Sequence, residues 1–293
     1  MTIALHVMVK NGKDKLPALF ESVKGFCDSV VVLDTGSTDG TLGWLETQKI
    51  LPCQYITVEF IDFGRTRTLG MKYAKGMADW LLLLDDDMRL VFTQPKEDVK
   101  NRLTGGIEYF SLKHTGGSVY WVTRLVRGDR DWQYKGVTHE YLDGSIAPVK
   151  LEGVEIDHQY NHGPEKFERD LRLLSADIAR DPYDSRTIFY LAQTLRDMRH
   201  TIPAIHYYEL RARMGGWAEE VFYSCYEAAR LAEDPKAMQK AFMYRPSRAE
   251  APYWLAKYYK SRGEPELAAY WERIRKAIPM TPDILFVHTE AYE

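Results

Sequence analysis

Trp80-Leu81-Leu82-Leu83-Leu84-Asp85-Asp86-Asp87 sets five apolar residues directly against three carboxylates. A short continuous apolar run reads as a strand buried on both faces, the pattern of a parallel sheet. Three adjacent carboxylates at its end repel one another and have no stability rationale unless positive charge sits there. Open α/β sheets take their ligands outside the carboxyl ends of the strands. Magnesium and manganese prefer carboxylate oxygens and in turn hold a substrate's phosphates. The stretch therefore reads as a strand delivering a metal site to a phosphate-bearing ligand, against the plainer alternative of a solvated acidic turn.

Working outward, the chain before this strand alternates between strand and helix signals. Ile3 to Val9 is a β-branched run, and Leu16, Leu19, Phe20 and Val23 recur at helical spacing. Ser29 to Leu33 is a second buried run. It ends in Asp34-Thr35-Gly36-Ser37-Thr38-Asp39-Gly40, a turn that hands over to a helix at Thr41-Leu42-Gly43-Trp44-Leu45, with Thr38 or Asp39 as the expected N-cap. Tyr55 to Val58 gives a third strand. Phe63 to Gly70 reads as a loop carrying Arg65 and Arg67, and Met71 to Met77 as a short helix. The β-α-β-α-β order predicts a parallel sheet with crossover helices. Asp34 repeats the positional logic of the triple Asp: a carboxylate at a strand end, able to accept from a base N–H or a ribose hydroxyl, or simply from its own turn.

Taken together, Val9-Lys10-Asn11, the Asp34 to Thr41 turn, Asp62-Phe63-Gly64-Arg65-Thr66-Arg67 and Trp80 to Asp87 resemble a family 2 glycosyltransferase with the GT-A fold, over roughly residues 1 to 145. The resemblance implies that Lys10, Asn11 and Asp34 hold the base and ribose of a nucleotide-diphosphate sugar, with a UDP-sugar the first expectation. It matches Arg67 to the family's loop arginine and Asp85 and Asp87 to the two acids of Asp-X-Asp, with Asp86 between them in the same nucleotide-sugar site. Asp87 would bind a divalent metal, manganese or magnesium, and Asp85 would face the ribose or the metal shell. Gly12 and Met88 stand where the family often has acidic residues. Beyond the strand, Val91 to Leu103 reads as helical. Gly105 to Leu112 and Val119 to Arg127 read as strands, the second antiparallel. Arg124-Leu125-Val126-Arg127 followed by Gly136-Val137-Thr138-His139-Glu140 also resembles this group. By that resemblance Arg124 joins the donor site, and His139 and Glu140 sit beside the diphosphate and the acceptor, His139 toward the metal. An inverting transfer needs a carboxylate base near the acceptor. Glu140 is the first candidate and Asp143 the reserve, while Asp129 and Asp131 lie in an exposed turn.

Composition shifts near Asn161-His162-Gly163-Pro164, where β-branched runs give way to Ala, Leu, Tyr, Arg and Glu. Phe189-Tyr190-Leu191-Ala192, Phe222-Tyr223-Ser224-Cys225 and Tyr253-Trp254-Leu255-Ala256 begin 33 and 31 residues apart, near the tetratricopeptide period of about 34. Asp181-Pro182 and Ile278-Pro279 fall where that repeat closes helices. The second half thus resembles a degenerate tetratricopeptide array, with a plain helical bundle as the alternative. Such stacks present a face for a peptide or for a second copy of the chain. The expected organisation is a GT-A domain over 1–160, a helical domain over 165–280 and a tail over 281–293. In that tail, Ile284-Leu285-Phe286-Val287 is strand-like and folds back on a neighbouring element.

Composition bounds the rest. Apolar residues at 45% and charged residues at 28% indicate a globular chain, and a net charge of -3 gives no whole-chain signature of polyanion binding. Cys27, Cys53 and Cys225 form neither a metal spacing nor a disulfide framework, which fits a reducing compartment. The chain opens in a strand-like run with no leader pattern, and its apolar runs are too short to span a membrane. A cytoplasmic enzyme is expected. The fused arrangement resembles bacterial enzymes that glycosylate peptides, thiols included, and phage enzymes that glycosylate nucleic-acid bases are a second home for such a domain. A nucleotidyltransferase would share the sheet but usually carries a Gly-rich, Arg-containing loop after strand one, which Lys10-Asn11-Gly12-Lys13 does not provide. A non-catalytic repeat scaffold would have no use for an intact Asp85-Asp86-Asp87.

Overall fold

The computed structural model describes residues 1–104, 106–116, 119–144, 149–158, 163–280 and 286–293. It divides into two compact units, Met1–His162 and Gly163–Glu293.

In the first unit β1 (Ile3–Val9), β2 (Ser29–Asp34), β3 (Cys53–Thr57) and β4 (Trp80–Asp85) are mutually parallel, in the order β3-β2-β1-β4. The sheet continues through β7 (Tyr120–Arg127), β6 (Tyr109–Thr115), β10 (Val149–His158) and β5 (Met88–Phe92), eight strands among the described residues. β7 is antiparallel to both β4 and β6, as its position in the sequence suggested. β10 runs parallel to β6 and antiparallel to β5. The sheet is mixed, mostly parallel and flanked by helices, the GT-A-like class expected.

Both faces are covered because the apolar runs have no polar side to offer. Ile3, Leu5, Val7 and Val9 of β1 pack with Leu16, Leu19, Phe20 and Val23 of α1 (Leu16–Val23). Ala4, Val31, Leu81 and Leu83 pack on the other face with Met71 and Ala74 of α3 (Phe63–Ala74). The period of two within each strand sends alternate residues to the two layers.

Three expectations need correction. The segment Phe63 to Gly70 is not a loop but the first turns of α3, so Arg67 is a helical residue. The two glycines and two threonines there lower helix propensity. The helix forms because Asp62 caps it, accepting from Arg65 N at 2.7 Å, and because Thr66, Arg67, Gly70, Met71 and Ala74 all bury against the sheet. Second, Val91 to Leu103 is not one helix. Met88 and Leu90 bury alternately as the edge strand β5, and only Lys96–Lys100 is helical, as α4. Third, the cap of α2 (Thr41–Thr47) is Gly40, at φ 91, and not Thr38 or Asp39. Asp39 still accepts from Thr41 N at 3.0 Å.

Two glycines let α3 lie close to its neighbours. A Cβ at Gly70 would stand 2.5 Å from His6 Nε2 and 3.0 Å from Leu33 Cδ2, and one at Gly64 would overlap the Gly136 carbonyl. Phe63 N also donates to Val137 O at 3.0 Å. The start of α3 is thereby fixed to the segment that leads to Glu140. Gly64→Ala is expected to cost about 1–3 kcal/mol, because the helix must move off a rigid backbone neighbour; urea unfolding against wild type measures it.

The second unit is helical. α5 (Pro164–Arg180) precedes three helix pairs, α6 (Ser185–Asp197) with α7 (Thr201–Arg213), α8 (Ala218–Leu231) with α9 (Pro235–Tyr244), and α10 (Glu250–Ser261) with α11 (Pro265–Lys276). The first helices of the pairs open at Ser185, Ala218 and Glu250, keeping the tetratricopeptide-like spacing read from the aromatic segments. Buried charges are paired within it: Arg211 donates to Glu220 at 2.9 and 3.1 Å, and Arg248 to Glu250 at 2.7 and 3.0 Å. Of the strand-like tail segment, Ile284 and Leu285 lie outside the described residues. Phe286 and Val287 are not in a strand, and Thr289–Ala291 forms one 3-10 turn.

Candidate active site

Three strand ends build the site. β1 runs out at Val9, β2 at Asp34 and β4 at Asp85, side by side and parallel, so the residues after them share one edge of the sheet. β1 is flanked by β2 and β4, the arrangement at which a doubly wound sheet opens a crevice.

The loop after β1 and the turn after β2 are tied together. Asn11 N donates to Ser37 Oγ at 2.8 Å, Thr38 N donates to Asn11 Oδ1 at 2.8 Å, and Gly12 N donates to Thr41 Oγ1 at 3.0 Å. Asn11 holds φ 57, a left-handed conformation that Asn tolerates better than most residues. Asp34 is fully buried. Its Oδ2 accepts from Gly36 N and Ser37 N at 3.0 and 3.1 Å, the self-bonded turn allowed for by its sequence. Its Oδ1 has no hydrogen-bond partner among the described residues. An unpaired buried acceptor costs about 1–3 kcal/mol, and this one fits a ligand N–H or hydroxyl. Lys10 is exposed at the mouth.

The three carboxylates have separate partners. Asp85 takes the Arg67 guanidinium on Oδ1 and Arg124 Nη1 on Oδ2 at 3.6 Å. Burial would raise its pKa, but Arg67 and then Arg124 hold it below the usual carboxylate range. Asp86 lies 3.3 Å from Lys15 Nζ, and burial pushes its pKa up. Asp87 Oδ1 lies 3.3 Å from His158 Nε2. His158 ends β10 opposite Met88 and was not singled out from the sequence. Its signal was the alternation Val154, Ile156, His158, which places the three on one face of a strand.

Arg67 joins this edge to the acceptor candidates. Its Nε donates to Glu140 Oε1 at 2.6 Å, and the Tyr134 ring lies 5.8 Å from the guanidinium. Tyr134 lies in β8 (Tyr134–Lys135) of a short hairpin and Glu140 in its loop, directly before β9 (Tyr141–Leu142), so the loop brings Glu140 back to α3. The structure therefore gathers Arg67, Asp85, Arg124 and Glu140 into one network. Asp143 is apart from it, paired with Lys135 at 2.7 Å. His139 is exposed, at φ 51.

A metal can be tested against these donors. Among the described residues, no group of three or more His, Cys, Asp or Glu side chains is placed to hold one. Asp87 and His158 supply two adjoining donors, one oxygen and one nitrogen. Magnesium and related ions often take only one or two protein ligands and complete their shell with substrate phosphates and water. The pair fits an ion held jointly with a diphosphate. It does not fit an ion caged by protein alone.

Two buried histidines lie beneath the site. Burial, and then Arg67, lowers the pKa of His6 to about 4; burial, with Arg124 and His158 beside it, lowers that of His114 to about 3. Between about 4 and the ordinary 6.5, folded His6 binds fewer protons than unfolded His6. The stability this gives is complete above about pH 6.5 and is lost as pH falls toward 4. Urea unfolding between pH 4 and 8 should show that slope, with His114 adding to it over the same range, and His6→Gln should remove the share that His6 contributes.

Residues 5–92, which carry β1 to β5, match the model of Glycosyl transferase family 2. A TPR repeat-containing protein of Synechococcus elongatus is 27% identical over 155 residues, 50% of this chain. The match spans about 37% of the length of that curated relative. Among solved structures, S. aureus TarS 1-349 has a TM-score of 0.40 at 14% identity, covering 98% of this chain and 95% of that one. MamA has a TM-score of 0.35 at 22% identity, covering 39% of this chain and 69% of that one. No helix among the described residues is long and apolar enough to cross a membrane.

Proposed function

We propose that this chain, which matches the Glycosyl transferase family 2 model over residues 5–92, transfers a sugar from a nucleotide-diphosphate donor to an acceptor nucleophile with inversion. The observation that carries the reading is the placement of Asp34 at the end of β2 and of Asp85 and Asp87 at and just past the end of β4, the two parallel strands on either side of β1, each carboxylate with a different partner. Asp34, with Lys10 and Asn11 beside it, takes the base and ribose. Arg67 and Arg124 fix Asp85 at the centre of the edge. Asp87 and His158 would hold a divalent ion, which when bound neutralises charge on the leaving diphosphate.

Glu140 is the proposed base. Arg67 occupies its Oε1, which fixes the carboxyl group and leaves Oε2 for an acceptor proton. The attacked anomeric carbon then inverts, because nucleophile and diphosphate stand on opposite faces. A peptide acceptor is favoured over a nucleic-acid base, because the net charge of -3 offers no general attraction to a polyanion. A UDP-sugar donor and a cytoplasmic setting belong to the same proposal.

Glu140→Gln tests the base. The amide oxygen still accepts from Arg67, so the site stays folded. Turnover with an alcohol acceptor should fall by about 10²–10⁴-fold, with donor affinity nearly unchanged. Retained turnover, or collapsed donor affinity, would move Glu140 out of the base role and bring Asp143 forward. A thiol acceptor should show a smaller loss, since a thiol ionises with little help.

A further inference from the structure

In the helical unit, the last described segment lies on the side of the array formed by α6, α8 and α10. The Phe286 ring packs 5.1 Å from Phe189, 5.2 Å from Tyr223 and 6.1 Å from Trp217. Two residues on, the His288 ring stands 5.3 Å from Tyr226 and 6.1 Å from Tyr223. The array meets the main chain as well as the rings. Arg248 donates to Phe286 O at 3.1 Å, and Arg275 donates to Ala291 O at 3.0 Å. Guanidinium-to-carbonyl contacts recognise peptide backbone whatever its sequence, and the ring contacts select an aromatic side chain.

Two observations show that this segment is not the best possible filling of that face. Phe286 holds φ 57, a left-handed conformation costly for a bulky residue. A cavity of about 420 Å³ also opens directly beside the segment. It shares Tyr223, Tyr226 and Glu227 with the segment's own contacts and extends past His288 to Tyr253, Trp254 and Lys257. The row of rings is longer than the segment that covers it.

We propose that the chain's own segment 286–293 is a displaceable occupant of the α6–α8–α10 face, and that a peptide with an aromatic anchor takes its place there. An incoming peptide takes the same arginine and ring contacts without the strain at Phe286, and fills the adjoining cavity. The proposal is independent of transfer chemistry, and its test reads binding alone.

The probe is a fluorescein-labelled synthetic peptide with the sequence Phe286 to Glu293, followed by polarisation on the full chain and on the chain carrying Phe286→Ala. In wild type the tethered segment competes at an effective concentration on the order of millimolar. Phe286→Ala should bind the probe at least about tenfold more tightly than wild type does, and a probe with alanine at the first position should lose that gain. If folded Phe286→Ala protein binds the probe no better than wild type, the segment is a fixed part of the helical core and the proposal fails. A chain lacking residues 286–293 gives the same reading without the competitor.

Discussion

Arg67→Met is expected to destabilise the sheet unit by about 3–5 kcal/mol, the usual loss when one partner of a buried ion pair is removed. Arg67 is 8% exposed and serves two carboxylates at once, Nη2 to Asp85 and Nε to Glu140. Methionine fills similar volume but leaves both acids with little water. In a domain of this size that corresponds to a fall of about 10 °C in Tm. Arg67→Lys should recover only part of the loss, because a single ammonium lacks the fork that reaches both acids. Acid behaviour should change as well. Although burial opposes it, Arg67 depresses the pKa of Asp85, so the stability Asp85 gives is complete above the ordinary carboxylate value of about 3.9 and is lost below it. The substitution removes that low-pH slope. Thermal melts of the three proteins between pH 2 and 8 measure both effects, and a loss under about 1 kcal/mol for Arg67→Met at neutral pH would show that water already screens the network.

Asp87→Asn should abolish the divalent dependence of nucleotide-diphosphate binding. A neutral amide is a far poorer ligand for a hard cation than a carboxylate, and His158 alone does not hold such an ion. Even substitutions one layer out from a metal typically cost 10–100-fold, so the loss in manganese-supported affinity is expected to be about 100-fold or more. Affinity without metal should hardly change, because Asp34 and the loop after β1 are untouched. His158→Ala should weaken the manganese effect less, by about 10–100-fold. Calorimetry of a nucleoside diphosphate, with and without manganese, reads all three proteins. Equal manganese dependence in wild type and Asp87→Asn would remove Asp87 from the metal role.

What the sequence displayed and what it concealed divide along physical lines. β1, β2 and β4 were legible because strands buried on both faces must be apolar throughout, and their ends were legible because a carboxylate directly after such a run stands out. The first half of α3 was concealed because Gly64, Thr66, Thr68 and Gly70 form helix poorly in isolation. Gly64 and Gly70 are there to let the helix approach Gly136 and His6, a tertiary demand that local propensity does not encode. His158 was concealed for another reason: it follows Asp87 by 71 positions, and only the pairing of β10 with β5 sets it opposite Met88. The meeting of Arg67 with Glu140 is likewise a product of the β8–β9 hairpin, which two-residue strands announce weakly. In the helical unit, ring-rich segments at a steady interval marked α6, α8 and α10, whereas the seat of Phe286 among their rings depends on the packed array.

The central claim is that the strand ends carrying Asp34, Asp85 and Asp87 turn over a nucleotide-diphosphate sugar. Its most direct test incubates the purified chain with manganese and a panel of sugar nucleotides differing in base and sugar, and measures nucleoside diphosphate released. At least one member should be hydrolysed by the wild type, with release falling to background in Asp87→Asn. If no member of the panel is bound or hydrolysed by folded wild-type protein, or if Asp87→Asn releases nucleoside diphosphate at the wild-type rate, the account is contradicted.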